Sequence, residues 1–238
     1  RIRWREVMAL NKKRLRSSPG ILEGELRYED EIVLTYKISY PIFRCALYPR
    51  SVMEINRFYK LQALAYLQYV QEELYPQAVE GYRFAVQNNY PVMVYEVLTE
   101  YHITYQQDCI LSLYFDRYTF TGGAHGSTLR YSQTWNLHSA KQIPLSSLFL
   151  SDRFYKRRIF LQIRTQIQKE PEVYFEDYEK LMVKTFNENS FYCTPQGVVI
   201  YYQQYDIAPY ASGIREFLLP YSLSPRDPVY LCRTPSSR

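Results

Sequence analysis

The stretch Tyr114–Arg130, YFDRYTFTGGAHGSTLR, decides how the chain is read. Two strand-like runs meet at Thr121-Gly122-Gly123-Ala124-His125-Gly126. Gly122, Gly123 and Gly126 tolerate positive φ without a Cβ penalty, so their spacing predicts a tight, irregular turn. A glycine loop that cradles phosphate runs into a helix whose N-terminus faces the anion. Here the continuation is TLRYSQTWNL, in which Leu129, Tyr131, Trp135 and Leu137 fall mostly on one alternating face. That pattern is a strand, and no Gly-Lys-Ser/Thr ending follows the glycines. The turn is therefore read as a joint between strands. His125, its only titratable group, is read as a ring that hydrogen-bonds backbone and fixes the loop; a catalytic or metal role is the competing reading.

On the N-terminal side, Met93, Tyr95, Val97, Tyr101, Ile103 and Tyr105 share one face of a long strand. Gln106-Gln107-Asp108 turns the chain, and Cys109, Leu111, Leu113 and Phe115 line the return strand. With Thr128–Leu137 as the third strand, consecutive antiparallel pairing is the simplest arrangement. Earlier still, Ser51 to about Asn88 reads as one long helix. Ser51 and Glu54 have capping-box spacing, and Val52, Ile55, Tyr59, Ala63, Tyr66 and Val70 recur at three- and four-residue steps. Pro76 is expected to kink or divide it, and the tyrosines on that stripe are read as core. Glu31–Tyr40 alternates as a half-buried strand that Pro41 places at an edge or a bend.

Beyond the third strand, Ser151 or Asp152 is expected to cap a helix running to about Glu170, with Tyr155, Ile159, Ile163 and Ile167 inward. A second helix is expected over about Phe175–Asn187. Phe191–Thr194 then meets Val198–Gln203 through Pro195-Gln196-Gly197. The irregular stretch Gln204–Gly213 leads to a last strand, Ile214–Leu219. The expected organisation is a disordered basic leader (1–24), an N-terminal α+β lobe (25–119), a C-terminal α+β lobe (120–224) and a tail (225–238). The fold class is α+β: antiparallel sheets packed with one long helix in the first lobe and two helices in the second.

The chain has 238 residues, 47% hydrophobic and 22% charged. That is enough for one domain or two small lobes. It is rich in aromatics, with 26 Tyr, 12 Phe and 2 Trp, which suits half-buried strands and binding surfaces. The net charge of +5 sits largely in the first residues. No basic stripe continues from it, so nucleic acid is not an expected partner. No apolar run approaches the length of a membrane span, and the first residues lack the apolar core of a signal peptide. Cys45, Cys109, Cys193 and Cys232 contain no Cys-x-x-Cys pair; three full pairings are open, as are buried free thiols.

Chemistry is sparse. His102, His125 and His138 lie in no nucleophile context, and His-Glu-x-x-His is absent. Glu176, Asp177 and Glu179 form an acidic helix face read as solvated. Asp206, in Tyr205-Asp206-Ile207-Ala208-Pro209-Tyr210, either caps local backbone donors or contacts a ligand. No catalytic residue, metal site or cofactor is assigned.

Two patterns together resemble a known family. One is Tyr118-Thr119-Phe120-Thr121-Gly122-Gly123-Ala124-His125-Gly126. The other is Phe191-Tyr192, Pro195-Gln196-Gly197-Val198-Val199-Ile200-Tyr201-Tyr202, then Gln204-Tyr205-Asp206-Ile207-Ala208-Pro209-Tyr210 and Gly213. Their order and spacing, over about Glu31–Tyr221, resemble the uncharacterised bacterial domain family in the extracytoplasmic part of the lysozyme-sensing anti-sigma factor. The same modules precede the catalytic domain of a peptidoglycan deacetylase. The resemblance implies a non-catalytic sensing or binding module, extracytoplasmic or at the cell surface; a cytoplasmic place is the alternative, since this sequence shows no signal or anchor. It implies a protein such as lysozyme, or peptidoglycan fragments, as partner. His125, Asp206, Tyr205 and Tyr210 are the candidate binding residues, and Gly122, Gly123, Gly126, Pro209 and Gly213 the framework of the two motifs. The competing readings are a hydrolase acting on cell-wall material through His125 and Asp206, and a purely structural interaction domain.

Overall fold

A computed structural model describes residues 15–150 and 152–233. The strands β1 (Arg16–Tyr28) and β2 (Glu31–Arg44) form a long antiparallel hairpin. Glu29 and Asp30 make its two-residue turn, and both sit at positive φ. The twist of such a turn matches that of the flanking strands. This corrects the reading of residues 1–24 as a disordered leader: residues 16–24 are strand, and residues 1–14 lie outside the described residues. Ser17-Ser18-Pro19-Gly20 has the composition of a breaker, yet Pro19 lies opposite Pro41, and neither has an N–H to leave unpaired. Gly20 lies opposite Tyr40, and a Cβ there would come 2.4 Å from the tyrosine ring. Gly24 makes the same room for Tyr36.

Helix α1 (Pro49–Tyr69) begins at Tyr48, with a proline in its first turn and no side-chain cap. The expected Ser51–Glu54 capping box is therefore not what starts it; the fixed φ of Pro49 is. Asn56 ties the helix to β2, accepting from the Phe43 N–H (2.7 Å) and donating to the Phe43 carbonyl (2.8 Å). The inward stripe is Val52, Ile55, Tyr59, Ala63 and Tyr66, as the periodicity requires. Ile55 is fully buried. Burying a side chain of that size contributes about 2 kcal/mol. The helix passes through a π turn (Val70–Leu74) into α2 (Tyr75–Gln87). Pro76 falls just after that turn, whose wider ring carries the chain past the lost donor and the crowded carbonyl.

From α2 the chain enters β3 (Tyr95–Gln107), which pairs with β2 in parallel, Leu34–Ile38 against Tyr95–Thr99. The expectation of wholly antiparallel sheets is corrected at this pair. The helical crossover of α1 and α2 is the length of connection that a parallel pair needs. β3 turns at Asp108, which has positive φ, into β4 (Ile110–Phe120), followed by β5 (Ser127–Asn136) and the short β6 (Lys141–Gln142). The hydrogen-bonded order is β1-β2-β3-β4-β5-β6. Helices α3 (Tyr155–Ile167) and α4 (Tyr178–Lys184) follow, then a separate antiparallel sheet, β7 (Phe191–Cys193), β8 (Gly197–Tyr202) and β9 (Arg215–Pro220). Ile159, Ile163 and Ile167 of α3 are buried as the pattern predicts. Phe154 occupies the N-cap position; Asp152 accepts from its N–H at 2.9 Å, and Ser151 lies outside the described residues. The class is mixed α+β.

The chain divides into two compact units, Arg1–Tyr101 with Asp116–Thr128, and His102–Phe115 with Leu129–Arg238. A single cut at residue 119 does not describe this. The hairpin tip 102–115 belongs to the second unit, in which Leu111, Leu113 and Phe115 are buried. The expected tail is also corrected. Asp227 caps the turn Pro228–Cys232 and accepts from the Tyr105 hydroxyl (2.7 Å), and Cys232 is disulfide-bonded to Cys109.

Candidate functional site

The two motif loops fall in different units, and each has its own surroundings. In the first unit, Gly122 and Gly123 sit at φ 86° and 92°. Gly126 is needed for another reason: a Cβ there would come 2.4 Å from the Tyr118 ring. The exposed His125 places Nδ1 3.1 Å from the Gly126 carbonyl oxygen. The chain then continues as the strand β5, not as a helix.

In the second unit, the loop after β8 projects Tyr205, 58% exposed and held at φ 69°. A tyrosine in the left-handed region is uncommon and marks a constrained position. The Tyr210 ring lies 5.8 Å away, tilted by 36°. Beneath the pair the backbone is tied down. Asp206 Oδ2 accepts from the Gln203 N–H at 2.8 Å. Gln203 in turn bonds both backbone groups of Arg130, accepting from its N–H (2.9 Å) and donating to its carbonyl (2.6 Å). Burial raises the Asp206 carboxyl above its ordinary value, and the Gln203 N–H opposes that shift. Pro209 enters a short turn at Tyr210–Ser212, and Gly213 leaves it at φ 66°.

Arg130 connects this loop to an aromatic cluster that periodicity does not reveal. The strand pattern put Leu129 inward, but Leu129 is 51% exposed, while the Arg130 side chain keeps only 10% of its surface. A guanidinium can take the inner position because its surroundings compensate it. It lies 3.9 Å from the Tyr114 ring centroid and 5.9 Å from that of Tyr201, and it is ion-paired with Glu216. The Tyr192 hydroxyl donates to the same carboxylate at 2.6 Å. Burial, then that bond, raises the Tyr192 phenol well above its usual range. Tyr114 also meets Tyr192 and the exposed His102, both at 4.9 Å between centroids. No spacing rule links residues 114, 130, 192 and 216; only the folded sheet does.

Among the described residues, no three side chains of metal-ligating type gather. The thiol of Cys193 is buried and pushed up to about 12, so it stays protonated at neutral pH. What the second unit offers is an exposed Tyr205 beside a half-buried Tyr210, a half-exposed Glu216 and an arginine held among rings. Those groups suit binding by stacking and hydrogen bonding.

The fold and this site define a two-unit α+β chain with an aromatic surface loop, and comparison with known proteins places it further. Residues 146–222 match the family described as "Protein of unknown function (DUF3298)", and residues 28–128 match the one described as "Deacetylase PdaC". The peptidoglycan-N-acetylmuramic acid deacetylase PdaC of Bacillus subtilis (strain 168) is 22% identical over 219 residues, 90% of this chain. The chain spans only 43% of that relative's length. A DUF3298 family protein from Bacteroides fragilis NCTC 9343 has the same fold, with a TM-score of 0.65 at 20% identity, covering 89% of this chain and 92% of that one. One from Pseudomonas aeruginosa PAO1 has a TM-score of 0.56 at 18% identity, covering 89% and 93%. The resemblance read from the two motifs, to an uncharacterised domain shared with a peptidoglycan deacetylase, therefore holds.

Proposed function

We propose that this chain is a non-catalytic module of the bacterial cell envelope that binds cell-wall glycan through the Tyr205–Tyr210 edge of its second unit. The observation that carries the reading is the exposed tyrosine at φ 69° beside a second ring at 5.8 Å. A sugar's C–H face stacks on such rings. The cell-wall assignment rests on the likeness to the deacetylase, of which this chain covers less than half. The Cys109–Cys232 bond supports an oxidising, extracytoplasmic setting. Among the described residues, no helix is long and apolar enough to cross a membrane. The non-catalytic reading is supported by the partners of the candidate acid–base groups: Asp206 accepts from the Gln203 N–H, and the His125 ring is engaged with the Gly126 carbonyl.

Calorimetry with soluble muropeptides tests the proposal. The wild-type chain binds, and replacing both Tyr205 and Tyr210 by Ala weakens binding by about tenfold or more, as the loss of two stacked rings requires. Wild-type protein that ignores muropeptides, or a double variant that binds them equally well, contradicts it. Lysozyme titrated in parallel separates the other partner class: lysozyme binding without glycan binding would replace this reading with protein recognition.

A further inference from the structure

Helix α3 carries a second surface that the tyrosine edge does not explain. Its sequence, YKRRIFLQIRTQI, has Lys156, Arg157, Arg158 and Arg164 and no acidic residue. Its buried stripe is Ile159, Ile163 and Ile167. The opposite face mixes charge with large apolar groups: Phe154 is 69% and Leu161 64% exposed. Phe154, Arg157, Arg158, Phe160, Leu161 and Arg164 line a groove of about 610 Å³. Arg164 pairs with Glu179 of α4 at 3.2 Å, and one turn further along α4 Val183 is 57% exposed. Arg158 pairs with Asp152 at 2.8 Å and Lys156 with Glu188 at 2.5 Å, whereas the Arg157 guanidinium has no ion-pair partner among the described residues.

Exposed phenylalanine and leucine interleaved with arginine fit a bilayer interface. The apolar tips enter the acyl boundary while the guanidinium groups stay at anionic headgroups. The alternative occupants fit worse. A second copy docked on the same face would set arginine against arginine. An extended peptide gains no backbone hydrogen bonds from the side of a helix, whose N–H and C=O groups are already paired. We infer that the exposed face of α3 is a docking surface for an anionic phospholipid membrane. This inference does not rest on the glycan reading, which uses another part of the second unit.

Co-sedimentation with vesicles tests it, using the full chain. The protein sediments with vesicles of phosphatidylcholine containing about 30% phosphatidylglycerol, an anionic fraction that draws polybasic surfaces. It stays in solution with phosphatidylcholine alone. Arg157→Glu reverses one charge and weakens partition by about tenfold or more, since each basic group near an anionic surface is worth about fivefold. Phe154→Ser with Leu161→Ser weakens it to a similar degree. All of these side chains are exposed, so circular dichroism and thermal melting of the variants match wild type. Failure to sediment with the anionic vesicles, or variants that sediment as well as wild type, overturns the inference. Capture of an acidic amphipathic peptide by a chain that ignores the vesicles overturns it too.

Discussion

The glycine turn at 121–126 and the loop at 203–213 solve one problem with opposite means. Both need backbone at positive φ. The first meets the need with Gly122 and Gly123, where no Cβ is strained. The second places Tyr205 there, at φ 69°, and holds it by a ladder from Asp206 through Gln203 to Arg130. Glycine in such a position is architecture. A bulky, exposed side chain there costs roughly 1–3 kcal/mol and persists only where the surroundings impose it. That difference between the two loops is the ground for proposing the second as the binding edge.

The largest expected effect sharpens the contrast between the units that carry the loops. The Cys109–Cys232 bond, with a sequence separation of 123, lies wholly within the second unit. In the chain-entropy account its reduction destabilises that unit by about 4–5 kcal/mol. Calorimetry with and without reductant should show one transition moving by many degrees while another, assigned to the first unit, holds still. A single transition that moves as a whole would break the division into units.

Next in size is the glycine turn itself. Gly123→Val forces a β-branched residue to φ 92°. That should cost about 2 kcal/mol and lower Tm by roughly 4–8 °C or more. Among the described residues nothing lies within 4 Å of an added Cβ there, so backbone strain is what the variant tests. An unchanged melting temperature would put the turn's glycines on a par with any exposed residue. In the other loop, Gln203→Ala removes two hydrogen bonds to the Arg130 backbone. Their loss should cost about 1–2 kcal/mol. If the ladder fixes Tyr205, that variant also loses muropeptide affinity, whereas Gly123→Val keeps it.

The smallest effect concerns pH. Burial raises the folded-state pKa of Asp206 above its ordinary 3.8. The native chain therefore holds that proton more tightly than the unfolded one. The benefit is complete below pH 3.8 and lost as pH rises through the raised value. Asp206→Asn keeps an acceptor for the Gln203 N–H and removes the buried charge. It should change stability by less than about 1 kcal/mol at neutral pH. It should also flatten the stability profile just above pH 3.8. A steeper profile in urea titrations would contradict the burial argument.

Much of this was legible in the sequence, and the exceptions have physical causes. Residues repeating at helical steps, such as Ile55 and Tyr59 or Ile159 and Ile163, declared their faces, because burial follows period. The two motifs announced the relationship to the deacetylase-associated domains. What failed was local composition overruled by pairing. Pro19 and Gly20 look like a break, but Tyr40 across the ladder uses the space that the glycine leaves. The parallel β2–β3 pair was hidden because it is set by how α1 and α2 carry the chain back, not by any turn. Arg130 was missed because alternation favoured Leu129, and its compensating partners come from 114, 192 and 216, distances in sequence that no local window spans.

Replacing Tyr205 by Asn tests the central claim most directly, with Tm and muropeptide affinity measured on the same sample. Asn accepts the left-handed region readily, so the variant should melt at or slightly above the wild-type temperature while binding is weakened several-fold. A variant that melts lower and binds as wild type would mean that the tyrosine is there for the fold, and that the glycan site lies elsewhere.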